Sequence, residues 1–327
     1  MAQMMYRDAL RAALHEEMAR DPRVFVIGEE VGRYGGAYAV TKGLFDEFGQ
    51  ERLVDAPISE ASTVGLGVGA AITGLRPVVE LMYVDFVGLA MDQIANQMAK
   101  VRYMTGGQVT MPMVLRTQGG TGRSAGAQHS QSLEAWLAHV PGLRVVMPAT
   151  PADAKGLLKT AVRSDDPVVF IEHKALYAMK GDVPEGEHLV PFGVANTVRP
   201  GHDLTIVTYS RMLHFAMEAA QDLSSEGIEA EVIDLRTLNP LDMETVLSSV
   251  RRTRRALVLN EAHRTAGFCS ELAACITEEL FDILEAPVLR VAAKDVPVPA
   301  TLLEKLSIPG PEEIRAEARS LVTRRRR

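Results

Sequence analysis

The sequence has 327 residues, 47% of them hydrophobic and 24% charged, a composition that sustains packed cores and excludes a disordered chain. At about 150 residues per domain this length accommodates two domains. Its 35 basic against 42 acidic residues give a net charge of −7, which argues against a nucleic-acid partner, because phosphate-binding faces need clustered Lys and Arg.

Short β-branched runs alternate with helical patterns along the whole chain. Apolar runs at 23–28, 77–82, 113–116, 143–147 and 167–172 read as strands. Their near-continuous hydrophobicity is that of strands buried on both faces of a parallel sheet. Helical periodicity covers 6–19 and, as the longest stretch, 85–104. Another helix opens at Thr150-Pro151, with Thr as N-cap and Pro in the first turn. Polar, turn-forming residues then accumulate between 180 and 202, marking a domain boundary. The pattern restarts with strands at 204–209, 231–235, 256–260 and 288–292 and helices at 212–224, 241–250 and 269–284. The order implies an α/β fold of two parallel-sheet domains. The expected division is 1–185 for the first domain, 186–202 for a linker and 203–327 for the second.

The two cysteines, Cys269 and Cys275, lie in a predicted helix with no metal-ligand spacing around them, so neither a disulfide framework nor a zinc site is expected. The N-terminus lacks the basic and apolar regions of a signal peptide, and the longest weakly polar run, 64–75, is too short to span a bilayer. A cytoplasmic protein with no membrane association is expected. The one basic block, Arg324-Arg325-Arg326-Arg327, reads as a solvated tail.

Three strand ends carry residues suited to chemistry. Gly65-Leu66-Gly67-Val68-Gly69-Ala70 fits a dinucleotide fingerprint on paper, but such a fingerprint must occupy a strand-to-helix turn. Here a helix capped by Ser59 has already begun, so close helix packing is the better reading. Glu60 follows the strand-like Leu53-Val54-Asp55-Ala56, either as a first-turn acid favouring the helix dipole or as a ligand-binding group at a sheet edge. Asp85-Phe86 stands at the next strand end, its ring either a core plug or a platform for a flat ligand. A glycine-rich loop after the third carries His129, either structural or an acid/base near neutral pH.

Further motifs carry a resemblance: Gly28-Glu29-Glu30-Val31, Gly35-Gly36-Ala37-Tyr38, Pro57-Ile58-Ser59-Glu60, Gly69-Ala70-Ala71, Asp92-Gln93-Ile94-Ala95-Asn96-Gln97, Ala127-Gln128-His129-Ser130-Gln131-Ser132 and Asp295-Val296-Pro297-Val298-Pro299. In this order they resemble the beta subunit of the decarboxylating first component of 2-oxo acid dehydrogenase complexes, thiamine-diphosphate enzymes of the transketolase-like superfamily. The resemblance spans about residues 4–315. Glu172-His173-Lys174-Ala175-Leu176-Tyr177 is most similar to the acetoin dehydrogenase subgroup.

The resemblance implies a pyrimidine-binding domain followed by a transketolase C-terminal-like domain. It assigns the family's invariant acid to Glu60, which shares a proton with the aminopyrimidine so that the exocyclic nitrogen can deprotonate the thiazolium carbon. A carboxyl desolvated in a closed pocket suits that role. It places the ring-stacking aromatic at Phe86, a pyrimidine contact at Ile58, a second acid at Glu29, and at His129 the group that moves a proton as the acyl unit passes to the lipoyl arm. Potassium in relatives binds near the segment matching Ala161, Val162, Ser164 and Asp166, although many relatives have an acid where this chain has Ser164.

The chain contains no Gly-Asp-Gly motif of the kind that holds the diphosphate through magnesium. The resemblance therefore implies an alpha subunit that binds magnesium, an α2β2 heterotetramer, and a lipoyl acyltransferase core as further partner. Asp92, Asn96 and Lys100 read as either an interface stripe or a solvated helix face, and the polar segment Asn260-Glu261-Ala262-His263-Arg264 as a loop contacting the acyltransferase. The implied reaction is oxidative decarboxylation of a 2-oxo acid such as pyruvate, with acetoin cleavage as the alternative. An NAD-dependent dehydrogenase built on the Gly65 cluster and a non-catalytic scaffold subunit are the rivals.

Overall fold

A computed structural model describes residues 1–323, so the arginine tail lies outside the described residues. The chain divides into two compact units. The first comprises Met1–Gly119 and Trp136–Phe192, and the second Gly120–Ala135 and the chain from Gly193 onward.

The first unit is built on six parallel strands: β2 (Val24–Gly28), β3 (Leu53–Asp55), β4 (Arg76–Leu81), β5 (Val114–Gly119), β6 (Arg144–Val146) and β7 (Val168–His173). Within the unit they lie in the order β6-β7-β5-β4-β2-β3. Every residue of β2, β4, β5 and β7 is buried, which is why these strands read as continuous apolar runs rather than alternating ones. Two short strands, β1 (Ala2–Met5) and β8 (Lys180–Val183), pair antiparallel and were not apparent from pattern alone.

Helix α1 (Tyr6–Arg20) buries Tyr6, Leu10, Leu14 and Met18 against the same core as α3 (Pro151–Arg163). Thr150 Oγ1 accepts the Asp153 amide at 3.1 Å, with Pro151 directly after it, the expected cap. Between them in sequence, α2 (Glu60–Ile72) contains all three glycines of the cluster. A Cβ on Gly67 would stand 2.5 Å from Val79 Cγ2 and 2.9 Å from Met113 Cε. That glycine lets the helix lie close on the sheet, and the cluster forms no phosphate loop. Ser59 differs from expectation: its hydroxyl donates to Ser62 Oγ at 2.8 Å and caps no backbone amide.

The expected long helix over 85–104 is three pieces, a 3-10 segment Val84–Ala90, a π segment Gln93–Met98 and an α segment Val101–Met104. The 3-10 and π segments bury residues three or four apart, here Val84, Val87, Ala90, Ile94 and Met98. Hydrophobic spacing therefore could not separate them.

The second unit holds β9 (Asn196–Arg199), β10 (Leu204–Thr208), β11 (Ala230–Asp234), a short β12 (Thr237–Asn239), β13 (Ala256–His263) and β14 (Leu289–Ala293). Five of them form a sheet ordered β14-β13-β10-β11-β9, parallel except for the antiparallel edge strand β9. Its helices are α4 (Met212–Ser225), α5 (Met243–Thr253), α6 (Phe268–Leu280) and α7 (Pro311–Thr323). Asp242 caps α5 by accepting the Thr245 amide at 3.1 Å. Cys269 and Cys275 both lie on a helix, as expected, here α6, and both are free thiols. Among the described residues no helix is long and apolar enough to cross a membrane.

Candidate active site

In the first unit the carboxyl ends of β2, β3 and β4 present three acids to one narrow pocket. It is lined by Glu29, Glu60, Thr63, Val64, Val79, Glu80 and Leu81. Glu29 follows β2 directly, Glu60 opens α2 after β3, and Glu80 lies within β4. The turn below is fixed by Asp55, whose Oδ1 accepts the Gly32 amide at 2.7 Å. Burial, and then the charges of Glu60, Glu30 and Glu80, push the Glu29 carboxyl above the ordinary 4.5. Like charges around one pocket favour a shared proton over full ionisation. Two residues before Glu60 in the chain, Ile58 is 79% exposed. Phe86 is half-buried on the 3-10 segment, its amide donating to Tyr83 O at 2.9 Å.

A second layer was missed from sequence. Arg116 on β5 is fully buried, giving NH1 to Glu80 Oε2 at 2.5 Å and Nε and NH2 to Glu172 at 2.6 and 2.8 Å. The Tyr177 hydroxyl donates to Glu172 Oε2. Burial raises Glu172 against the pull of Arg116, and it raises Tyr177 well above its ordinary value. The ammonium of Lys174 sits 4.7 Å over the Tyr83 ring. The 172–177 run thus packs behind the pocket as a buried polar core. A signal existed: Glu80, Arg116 and Glu172 each follow directly on an apolar run, Val78-Val79, Val114-Leu115 and Val168–Ile171, and buried charges require partners.

His129 stands elsewhere in the architecture. It is half-buried in the segment Gly120–Ala135, which belongs to the second unit, and its amide donates to Gly126 O at 3.2 Å. The structure thus brings Glu29, Ile58, Glu60 and Phe86 onto the first unit and His129 onto the second.

The segment expected to hold potassium has its oxygens engaged. Arg76 Nε donates to Val162 O at 2.9 Å and its NH2 to Ser164 O at 2.6 Å, while Ala161 O accepts the Ser164 amide. Asp166 pairs with Arg102 and Arg144 through its two oxygens at 2.5 and 2.6 Å. Guanidinium groups line this segment, and each of these carbonyl oxygens keeps a second lone pair. Among the described residues no group of three His, Cys, Asp or Glu could hold a metal ion.

On the stripe of Asp92, Asn96 and Lys100, Asn96 donates to Asp92 at 2.7 Å and Lys100 to Pro141 O, contacts compatible with either reading of it. One surface reading changes. The segment 260–264 is no loop: β13 runs through His263, and Asn260 and Glu261 are buried. Continuation of a parallel strand buried by its neighbours overrode the polar composition.

The aminopyrimidine end of thiamine diphosphate needs an apolar support and a carboxyl that can hold a proton at a ring nitrogen. Ile58 and the Glu29–Glu60–Glu80 pocket fit that need. Comparison with known proteins agrees in kind. The pyrimidine-binding domain of transketolase matches residues 2–180 and the transketolase C-terminal domain residues 193–314. The chain is 48% identical to pyruvate dehydrogenase E1 component subunit beta of Porphyra purpurea, covering 98% of each chain. It is 49% identical to the mitochondrial beta-1 subunit of Arabidopsis thaliana over 95% of this chain and 87% of that one. The beta subunit of an acetoin:2,6-dichlorophenolindophenol oxidoreductase from Cupriavidus necator is 48% identical over 95% of each. Among solved structures, a split-gene transketolase in an inactive beta4 tetramer aligns with a TM-score of 0.80 at 24% identity over 99% of each chain, a likeness of fold. With both domain models matched in order and near half identity over almost its whole length, the chain belongs to the transketolase-like family of pyruvate dehydrogenase E1 beta subunits.

Proposed function

We propose that this chain is the beta subunit of a thiamine-diphosphate-dependent 2-oxo acid dehydrogenase. It works in an α2β2 heterotetramer that decarboxylates pyruvate and passes the acyl group to lipoyl-lysine of an acyltransferase core. The observation that carries this reading is the pocket lined by Glu29, Glu60 and Glu80, with Ile58 exposed two residues before Glu60. When bound, thiamine diphosphate supplies the carbon nucleophile and the electron sink for decarboxylation.

The chain's own residues do the rest. Glu60 holds a proton at the pyrimidine ring nitrogen. Glu29, raised by burial and by its acidic neighbours, gives up its proton less readily than an ordinary carboxyl, which eases the repulsion among the three acids of the pocket. Ile58 and Phe86 offer apolar surface to the rings and exclude water. His129 moves a proton during acyl transfer. Magnesium and the diphosphate are the alpha subunit's to hold. Acetoin cleavage is the second reading, favoured by the Cupriavidus necator relative at the same identity as the Porphyra purpurea one.

The test is Glu60→Gln in the tetramer reconstituted with its alpha subunit, assayed on pyruvate, branched-chain 2-oxo acids and acetoin. Turnover on the preferred substrate falls about 100-fold or more, with the tetramer intact by size-exclusion chromatography. Full turnover by the variant overturns the assignment, and unchanged turnover after His129→Ala as well points to a scaffold subunit.

A further inference from the structure

The segment that carries His129 is held by carboxylates of the second unit. It forms a loop closed at its base, where the Gly120 amide donates to Gln131 O at 2.9 Å. Along it Gly120, Gly122, Ser124 and Gly126 all have positive φ, between 55 and 100°. Alternation of left-handed with ordinary backbone turns successive amides toward one side and makes a concave anion site. Carboxylates occupy it. Glu304 Oε1 accepts the Gly122 amide at 2.9 Å and Glu304 Oε2 the Ser124 amide at 3.2 Å. Glu261 Oε1 accepts the Thr121 amide at 2.6 Å, and Arg211 donates to Thr121 Oγ1 at 2.8 Å. Glu304 and Glu261 are 6 and 7% exposed, so water competes little for these bonds. Hydrogen bonds to an ionised acceptor are the stronger kind.

Glu304 is itself firmly seated. It lies on the 3-10 segment Thr301–Leu306, where Ser307 Oγ donates to Glu304 O at 2.7 Å. The run Asp295-Val296-Pro297-Val298-Pro299 leads into that segment. Asp295 accepts the Thr265 amide at 3.0 Å and its hydroxyl at 2.7 Å, and Pro297 and Pro299 stiffen the chain beyond it. The run thereby acquires a physical purpose: it fixes the strap that presents Glu304 to the loop.

We infer that Glu304, seconded by Glu261, is a positioning residue that holds the His129 loop in its working shape by occupying the loop's amide cradle. The inference rests on the proposed role of His129 and adds the residue through which the C-terminal domain governs it. Glu304→Gln keeps the volume but replaces one acceptor oxygen by a donor, so at least one amide loses its partner. Glu304→Asp keeps the charge.

The experiment uses the reconstituted tetramer with two assays, one with a lipoyl acceptor and one with 2,6-dichlorophenolindophenol, alongside hydrogen exchange of residues 120–131. With Glu304→Gln, exchange in the loop speeds at least tenfold and lipoyl-linked kcat falls about tenfold or more, as small misplacements do. Dye-linked kcat stays within twofold, and Glu304→Asp restores part of the lipoyl-linked loss. Added to His129→Ala, Glu304→Gln lowers the lipoyl-linked rate no further. Unchanged loop exchange overturns the inference. So does faster exchange with an undiminished lipoyl-linked rate where His129→Ala abolishes that rate. Faster exchange with a fully active His129→Ala enzyme overturns the catalytic role of His129 and, with it, the catalytic meaning of the loop's anchorage.

Discussion

Arg116 shows how much a single buried charge can govern. It bridges Glu80, which lines the acidic pocket, and Glu172, and none of the three is more than 5% exposed. Replacing it with Met leaves two buried carboxylates without their cation, at a cost of about 3–5 kcal/mol. Urea unfolding would show this, and substituting all three residues by apolar ones should recover most of the loss. Glu134 predicts a pH effect. It is fully buried, accepts the Tyr209 hydroxyl at 2.8 Å, and burial raises it above 4.5. A carboxyl whose folded pKa exceeds its unfolded one binds its proton more tightly when folded. Its contribution is therefore complete below about 4.5 and is lost as pH rises through the raised folded value. Glu134→Gln should remove that decline, up to about 1.4 kcal/mol per pH unit, seen as a flatter dependence of Tm on pH. Glu60 and Phe86 were legible in the sequence as strand-end residues. The Arg116 network was not, because it depends on which strands are neighbours: Glu80 and Arg116 are in register across β4 and β5, a pairing invisible in a linear pattern.

The glycines of α2 separate packing from propensity at the level of elements. Gly67→Ala gains about 1 kcal/mol of helix propensity but drives a methyl into Val79 and Met113, and overpacking of this kind costs about 1–3 kcal/mol. Net destabilisation is expected. Gly69, with nothing within 4 Å of its Cβ position, should gain stability on the same substitution, and the denaturation midpoints of the two variants should move in opposite directions. Most strands and helices were legible because buried parallel strands and amphipathic helices leave strong periodic traces. The pieces that escaped were those without such a trace. β1 and β8 are short and partly exposed, β9 is a polar edge strand, and the 84–98 region changes pitch while keeping its buried face.

Taken whole, the molecule should be incomplete as a catalyst. The purified chain alone should show no turnover of pyruvate or acetoin, and addition of the alpha subunit should restore it; turnover by the chain alone would contradict the proposed sharing of the cofactor. The two-domain α/β order was readable from alternating strands and helices. The membership of each residue was less so, since Gly120–Ala135 follows β5 in sequence yet clusters with the second unit. That assignment depends on acceptors such as Glu261 and Glu304, which lie more than a hundred residues downstream.

That interleaving bears on biosynthesis. A ribosome releases the loop at 120–131 long before it has made Glu261 or Glu304, so the loop must wait for these acceptors while the rest of the chain is synthesised. Stalled or truncated chains ending near Phe192 would thus display a glycine-rich segment deprived of its anchors, readily nicked by proteases, whereas finished chains would protect it. The same arrangement means that the gene cannot simply be divided at the domain border: the loop would be encoded in one half and the carboxylates that bind its amides in the other.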